Sequence, residues 1–458
     1  MKKWYLLLAA ACCMPLLAGA QEIAGTWRGT LDLGVMKMAL VLHVEQEADG
    51  RYVTRMDSPD QGARNIPIAR TSFADGRFAL ADDALRLAYE GELQADSLVG
   101  TFRQNGLEVP LTFTRGAVER RRPQEPRPPY PYRVEEVTFP NDRAGITLSG
   151  TLTLPQGEGP FPAVVLVSGS GPQNRDEELM GHHPFRVLAD GLTRAGIAVL
   201  RYDDRGVGGS QGVYGEASLQ DFADDAASAM AWLRRQSAVD PQRVGVIGHS
   251  EGAMIAYMLA GACGDADFVV AMAGPAVPGR EFLAAQRRQI GEAMGVPEEV
   301  QRQNDQMNEA MLALCDRYEP AFLAAHADSL AQTLLPPDFR DDPQSLDQIR
   351  TGLLQCASPE MRSLIAYDPD DFLPRIACPV LAVVGSRDRQ VPPEVVVEPL
   401  RESVPASVPL TIEVFEGLNH LFQPCETGLP TEYGTIEVTM APEVLTTIAD
   451  WIRTVALP

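Results

Sequence analysis

The run Val244-Gly245-Val246-Ile247-Gly248-His249-Ser250-Glu251-Gly252 constrains the fold more than any other stretch of the chain. A β-rich segment ends on a glycine, a serine follows two positions later, and a helical pattern opens at once over Glu251 to Ala262. G-x-S-x-G between a strand and a helix demands a sharp turn in which backbones pass close together, so both flanking positions must be small. Three fixed positions alone are a weak signal. The strand before and the helix after make this one specific, and they imply an α/β sheet that presents Ser250 at its C-terminal edge.

The surrounding chain keeps that rhythm. Val134 to Phe139 and Ile146 to Leu154 read as an antiparallel pair; Ala163 to Val167, Ile197 to Tyr202 and Phe268 to Ala271 read as buried strands. Helical patterns over Pro184 to Ala195 and Leu219 to Arg235 separate them, which predicts right-handed crossovers and a mostly parallel, doubly covered sheet. The alternation breaks over 278–375, an almost wholly helical block with 17 acidic and 9 basic residues. It resumes with strands at Val380 to Val384 and Thr411 to Phe415 and a last helix from Pro442 to Val455. The α/β core is therefore expected over 134–277 and 376–458, with 278–375 inserted as a helical cap over the end of the sheet that carries the chemistry.

Ahead of this core the pattern differs. Over 21–116 short alternating runs recur, at Gly25 to Gly29, Met38 to Val44, Tyr52 to Met56, Arg77 to Leu80, Leu85 to Tyr89, Leu98 to Phe102 and Val109 to Phe113. Their spacing and the absence of a helical period predict a small all-β barrel or sandwich. His43 lies in one of its apolar strands and reads as structural. Residues 117–133 hold Arg120-Arg121-Arg122 and a proline-rich run, which reads as a stiff, extended linker lying on the acidic body.

Residues 1–20 read as a signal peptide: Lys2 and Lys3, a 14-residue apolar run from Trp4 to Leu17, then Ala18-Gly19-Ala20 with cleavage after Ala20. The run is too short to span a bilayer, and Ala9-Ala10-Ala11-Cys12 is a poor lipidation box, so secretion is expected, periplasmic in a Gram-negative cell. The formal charge of −23 argues against nucleic acid and anionic membrane surfaces as partners. Of seven cysteines, five remain after cleavage; an odd number without C-x-x-C spacing gives no disulfide framework, although Cys315 and Cys356 share one helical region and could pair.

A serine nucleophile needs a base and an acid that orients it. Among six histidines, His420 alone follows the last core strands on a sheet-edge loop; His182 is its one rival. Asp388 sits on the loop after Val384-Gly385, whereas Asp368, Asp370 and Asp371 precede that strand and belong to its wrong end. The order Ser250, Asp388, His420 is the one a nucleophile elbow requires. An oxyanion would take backbone N–H groups, that of Glu251 after the elbow and that of Ser170 from Ser168-Gly169-Ser170-Gly171. No cluster suggests a metal or an organic cofactor.

Five motifs in this order resemble the secreted bacterial α/β-hydrolase esterases often called serine aminopeptidase-like hydrolases. They are Ser168 to Glu177, Asp204-Arg205-Gly206-Val207-Gly208, Gly248 to Gly252, Gly385-Ser386-Arg387-Asp388-Arg389-Gln390-Val391-Pro392 and Leu418 to Gln423. The resemblance covers 134–455 and implies the α/β-hydrolase fold and carboxylesterase activity on small acyl chains. Ser168 stands where many of these hydrolases carry histidine. Arg175, Asp176, Asp204 and Arg205 match family positions and are expected to scaffold loops as ion pairs. Two other readings remain open: an exopeptidase of the same fold, with acidic residues of the cap holding the substrate's amine, and a binding protein on an inactive scaffold. The expected partner is a small-molecule ester or a peptide; the sequence is silent on oligomeric state.

Overall fold

The computed structural model describes residues 23–32, 37–59, 63–116 and 121–456. The signal peptide expected over 1–20, residues 117–120 of the linker and the side chain of Cys263 lie outside the described residues. The chain divides into two compact units, one up to Glu119 and one from Arg120.

The first unit is a barrel-like antiparallel meander of nine strands: β1 (Gly25–Asp32), β2 (Lys37–Gln46), β3 (Tyr52–Ser58), β4 (Ala63–Ile68), β5 (Arg70–Ala74), β6 (Arg77–Asp82), β7 (Leu87–Gln94), β8 (Ser97–Gln104) and β9 (Leu107–Arg115). Their order is β4-β3-β2-β1-β9-β8-β7-β6-β5, so the first strand joins the two halves by pairing with both β2 and β9. Alternate residues point inward and bury Trp27, Phe78, Tyr89 and Phe113. The Tyr89 hydroxyl lies 2.9 and 3.1 Å from the carbonyl oxygens of Leu98 and Leu111, and the Trp27 indole N–H donates to Ile23 O at 2.8 Å, so the polar tips of both rings are satisfied. Strands β4 and β5 escape the sequence pattern. Pro67 and Asn65 read as turn residues, but β4 ends the sheet, where a missing N–H costs no ladder bond. His43 bonds Asp57 at 2.8 Å, as a structural histidine should.

The second unit opens with segment 121–132, which lies on the α/β body. The Arg122 guanidinium donates to the carbonyls of Gly181 and Ile436 at 3.0 and 2.9 Å, and Gln124 donates to that of Met440 at 2.6 Å. The linker expected to lie on the acidic body is held there by side-chain bonds to carbonyls distant in sequence, which local composition cannot register. After it come β10 (Arg133–Asn141), β11 (Ile146–Leu154), β12 (Phe161–Val167), α1 (Pro184–Arg194), β13 (Ala198–Tyr202), α2 (Leu219–Leu233), β14 (Val239–His249), α3 (Glu251–Met258) and β15 (Val269–Met272). Helices α4 (Gly279–Ala293), α5 (Glu298–Arg317), α6 (Pro320–Leu334), α7 (Pro343–Ala357) and α8 (Pro359–Ile365) follow. The sheet resumes with β16 (Val380–Gly385), α9 (Val397–Ser403), β17 (Leu410–Phe415) and α10 (Pro442–Ala456).

The strand order is β10-β11-β13-β12-β14-β15-β16-β17, antiparallel at β10-β11-β13 and parallel from there on. This is the α/β-hydrolase architecture. Strands β13, β15 and β16 are buried at every position, as a sheet covered on both faces requires. The helical insertion leaves after β15 and returns before β16. Part of it carries its own small core around Ala327, Ala331 and Leu353. The four described cysteines are free thiols; Cys315 and Cys356 meet through a hydrogen bond and form no disulfide. Among the described residues no helix is long and apolar enough to cross a membrane.

Candidate active site

Strand β14 runs straight into α3 through Ser250, whose backbone has φ 55° and ψ −117°. A non-glycine residue reaches that conformation only at a cost, borne here by close packing on both sides. A Cβ at Gly248 would lie 2.0 Å from the Gly252 carbonyl oxygen, and one at Gly252 would lie 2.1 Å from that of Val167. Both glycines are therefore obligatory. The Ser250 N–H donates to Met272 O at 2.8 Å, tying the turn to β15. Its hydroxyl makes no hydrogen bond among the described residues and lines a cavity of about 300 Å³.

His420 lines the same cavity. Its Nδ1 lies 2.8 Å from Asp388 Oδ2, and both side chains are buried. The other carboxylate oxygen of Asp388 accepts the N–H groups of Gln390 and Val391, each at 2.8 Å, so the acid is held on both sides. With Nδ1–H directed at Asp388, the Nε2 lone pair of His420 is left as a base. Asp388 follows β16 and His420 follows β17, and the two loops touch at Gly385, where a Cβ would sit 2.3 Å from Leu418 O. The rival His182 is fully buried, with Nδ1 2.9 Å from Thr439 Oγ1 and Nε2 2.9 Å from Tyr433 O. It ties α1 to the C-terminal segment and does not line the cavity.

The loop after β12 supplies Gly169, Ser170, Gln173 and Glu177 to the cavity. The N–H of Gly169 donates to Glu177 Oε1 at 2.8 Å and that of Gly171 to the Tyr214 hydroxyl at 2.9 Å. Between them the N–H of Ser170 has no acceptor among the described residues, and neither has that of Glu251 at the first turn of α3. These two donors are the pair expected from the sequence, and both residues line the cavity with Ser250.

Glu177 and His249 carry a part the sequence reading missed. His249 Nδ1 is 2.9 Å from Glu177 Oε1, and its Nε2 is 3.0 Å from the His420 carbonyl oxygen. Both ring nitrogens thus face acceptors, the arrangement of an imidazolium. Burial disfavours that charge, yet the charge and hydrogen bond of Glu177 outweigh it and hold the His249 pKa above its ordinary value. One carboxylate thereby fixes three things: the loop with Ser170, the elbow with Ser250 and the loop with His420. In the sequence Glu177 stands as the last residue of the Ser168 to Glu177 motif, with no role assigned to it.

The cavity is acidic. Glu177, Glu251 and Glu360 line it, and neither lysine nor arginine does. Glu360, from α8 of the insertion, accepts the Tyr214 hydroxyl at 2.8 Å. The Glu251 side chain is buried with Oε2 unpartnered, and burial, aided by Glu360 and Asp204, pushes its pKa up to about 8. Burial likewise pushes Asp204 up to about 7, although it accepts from Gln173 N–H and the Ser168 hydroxyl. Phe282 and Leu283 of α4 and Met361 and Leu364 of α8 form the apolar side of the cavity. Two other motif positions do scaffold loops: Arg175 pairs with Asp203 at 2.7 Å and Arg205 with Asp225 at 2.7 Å. Among the described residues no group of three or more His, Cys, Asp and Glu is placed to hold a metal ion.

The model of the X-Pro dipeptidyl-peptidase (S15 family) matches residues 144–396, more than half of the chain. The chain belongs to the S15 family. Within and around that match it is 32% identical over 292 residues to "Esterase EstD" of Thermotoga maritima, an alignment covering 62% of this chain and 61% of that protein. The chain thus spans about three fifths of the length of that relative. It is 33% identical over 135 residues to "Thiohydrolase apmlB" of Arthrinium phaeospermum, covering 29% of this chain and 41% of that one. Among solved structures, the α/β hydrolase GrgF from Penicillium sp. sh18 aligns over 71% of this chain and 99% of its own, at 17% identity and TM-score 0.45. The Pyrococcus furiosus esterase Pf2001 aligns over 75% and 100%, at 16% identity and TM-score 0.44. In this S15 chain the matched region takes in the loop after β12, the elbow and Asp388, while His420 lies beyond it.

Proposed function

We propose that this protein is a serine hydrolase that cleaves carboxylic esters through an acyl-enzyme on Ser250. The observation that carries the reading is the buried 2.8 Å His420–Asp388 pair facing the same cavity as the strained Ser250 turn. His420 Nε2 takes the hydroxyl proton as Ser250 Oγ attacks the carbonyl, and the N–H groups of Ser170 and Glu251 receive the oxyanion. His420 then returns the proton to the leaving alcohol, and water, deprotonated in turn by His420, releases the acid. The kinship to an esterase supports an ester substrate. Secretion after cleavage at Ala20 is part of the same proposal and rests on the sequence of residues 1–20.

A second reading, cleavage next to a free amine, has its own support. Glu177, Glu251 and Glu360 border the cavity and neither lysine nor arginine does, a setting that suits an ammonium group, and the matched family is named for a dipeptidyl-peptidase. Fluorophosphonate labelling mapped by mass spectrometry tests the nucleophile: an adduct on Ser250 alone is expected, and an adduct elsewhere sinks the assignment. A panel of p-nitrophenyl esters beside aminoacyl and dipeptidyl anilides, with Ser250→Ala as control, separates the two readings. Faster turnover of anilides than of esters would put the second reading first.

A further inference from the structure

A second cavity, of about 240 Å³, lies between segment 126–136, the loop after β12 and the buried strand β13. Three guanidiniums line it, those of Arg175, Arg186 and Arg201. Arg175 is saturated: it donates to Asp203, Glu136, Thr151 and Ser149. The other two are not. Arg201 is nine-tenths buried and bonds only Asp176, through one Nη; its Nε is unpartnered and its second Nη makes no hydrogen bond among the described residues. Arg186 bonds only the Tyr130 hydroxyl, at 3.2 Å, and has no carboxylate partner among the described residues.

A buried donor without an acceptor is destabilising, and more so when it is charged, so these groups face a space that suits an acceptor. The carboxylates on the same wall are already engaged, Glu136 by Arg175, Asp176 by Arg201, and Asp190 by the Tyr132 hydroxyl at 2.7 Å and Arg194 at 2.8 Å. Burial and the nearby Arg175 charge lower the Arg201 pKa to about 10, so it still carries its charge at neutral pH. The rings of Tyr130 and Tyr132 stack 5.4 Å apart on the cavity wall and offer an apolar surface beside the charges.

We infer that this cavity is a binding site for a small organic carboxylate, with its oxygens on Arg201 and Arg186 and its apolar body against Tyr130 and Tyr132. A planar guanidinium fork matches a carboxylate, and the volume admits a molecule of benzoate size. The site is separate from the cavity at Ser250, which neither lysine nor arginine lines. It shares with that cavity only the loop after β12, which carries Arg175 and Asp176 to one and Ser170 and Glu177 to the other.

Acetate, benzoate and inorganic phosphate, each against sodium chloride at equal ionic strength, test this by thermal melting and calorimetry on the full chain. Benzoate is expected to raise Tm saturably, acetate more weakly. Arg186→Gln, which removes a half-buried guanidinium with one bond, should fold normally and lose at least about tenfold in benzoate affinity. Tyr132→Ala removes the ring face of the same wall and should weaken benzoate more than acetate. The inference is overturned by the absence of a saturable carboxylate effect in the wild type, by a response to phosphate alone, or by benzoate affinity unchanged in Arg186→Gln.

Discussion

Glu177 Oε1 sits 2.9 Å from His249 Nδ1 while it also accepts the N–H of Gly169, so one buried carboxylate joins the loop of Ser170 to the elbow of Ser250. His249 passes the connection on through Nε2 to the His420 carbonyl. The residues proposed to do chemistry are thus positioned by a pair that does none.

Glu177→Gln keeps the shape and removes the charge that sustains the His249 imidazolium. The expected result is a kcat lower by about ten- to a hundredfold, with KM for a p-nitrophenyl ester changed only a few-fold. Glu177→Asp should recover part of the loss. A variant with wild-type kcat would show that the pair has no positioning role.

The two glycines of the elbow are steric requirements, and a third glycine is not. Gly252→Ala places a Cβ against the Val167 carbonyl, so little folded protein should accumulate, or its Tm should fall by many degrees. Gly191→Ala, inside α1 with only Leu445 atoms at 3.9 and 4.0 Å, should instead stabilise by about 0.5–1 kcal/mol through helix propensity. Thermal melts of the two variants side by side check both.

Glu251 and Asp204 make stability depend on pH. Their folded-state pKa values, about 8 and about 7, lie above the ordinary 4.5 and 3.8, so the native state binds more protons than the unfolded chain between these limits. Their contribution is complete below about pH 4 and is lost as pH rises toward 8. Across pH 5 to 8 the Tm should therefore fall more in wild type than in Glu251→Gln, whose side chain has no proton to lose. Equal slopes would remove Glu251 from this account.

The insertion contributes Leu283 and Met361 to the apolar side of the cavity. Leu283→Ala and Met361→Ala deepen it and should shift the ratio of kcat/KM for long over short acyl esters upward by about tenfold, the worth of one or two methylenes. Ratios held at the wild-type value in both would transfer acyl selection to the sheet-edge loops.

The order of strands and helices from Val134, the elbow at Ser250 and the positions of Asp388 and His420 were legible in the sequence, because each rests on local pattern. Alternating and continuous apolar runs announce strands, and G-x-S-x-G between strand and helix admits one backbone path. Edge strands β4 and β5 were not legible, since Pro67 and Asn65 look like turn residues until their place at the end of the sheet is known. Nor were the bonds that hold segment 121–132 to the body, which reach carbonyls hundreds of residues away. Chain order favoured His420 over His182; the tertiary structure added the physical distinction, giving one a carboxylate and a cavity and enclosing the other between Thr439 and Tyr433. It alone brought Glu177 onto His249 and placed Asp204 and Glu360 near the buried Glu251. Such properties arise from burial and from partners distant in the chain, and no local pattern of residues encodes them.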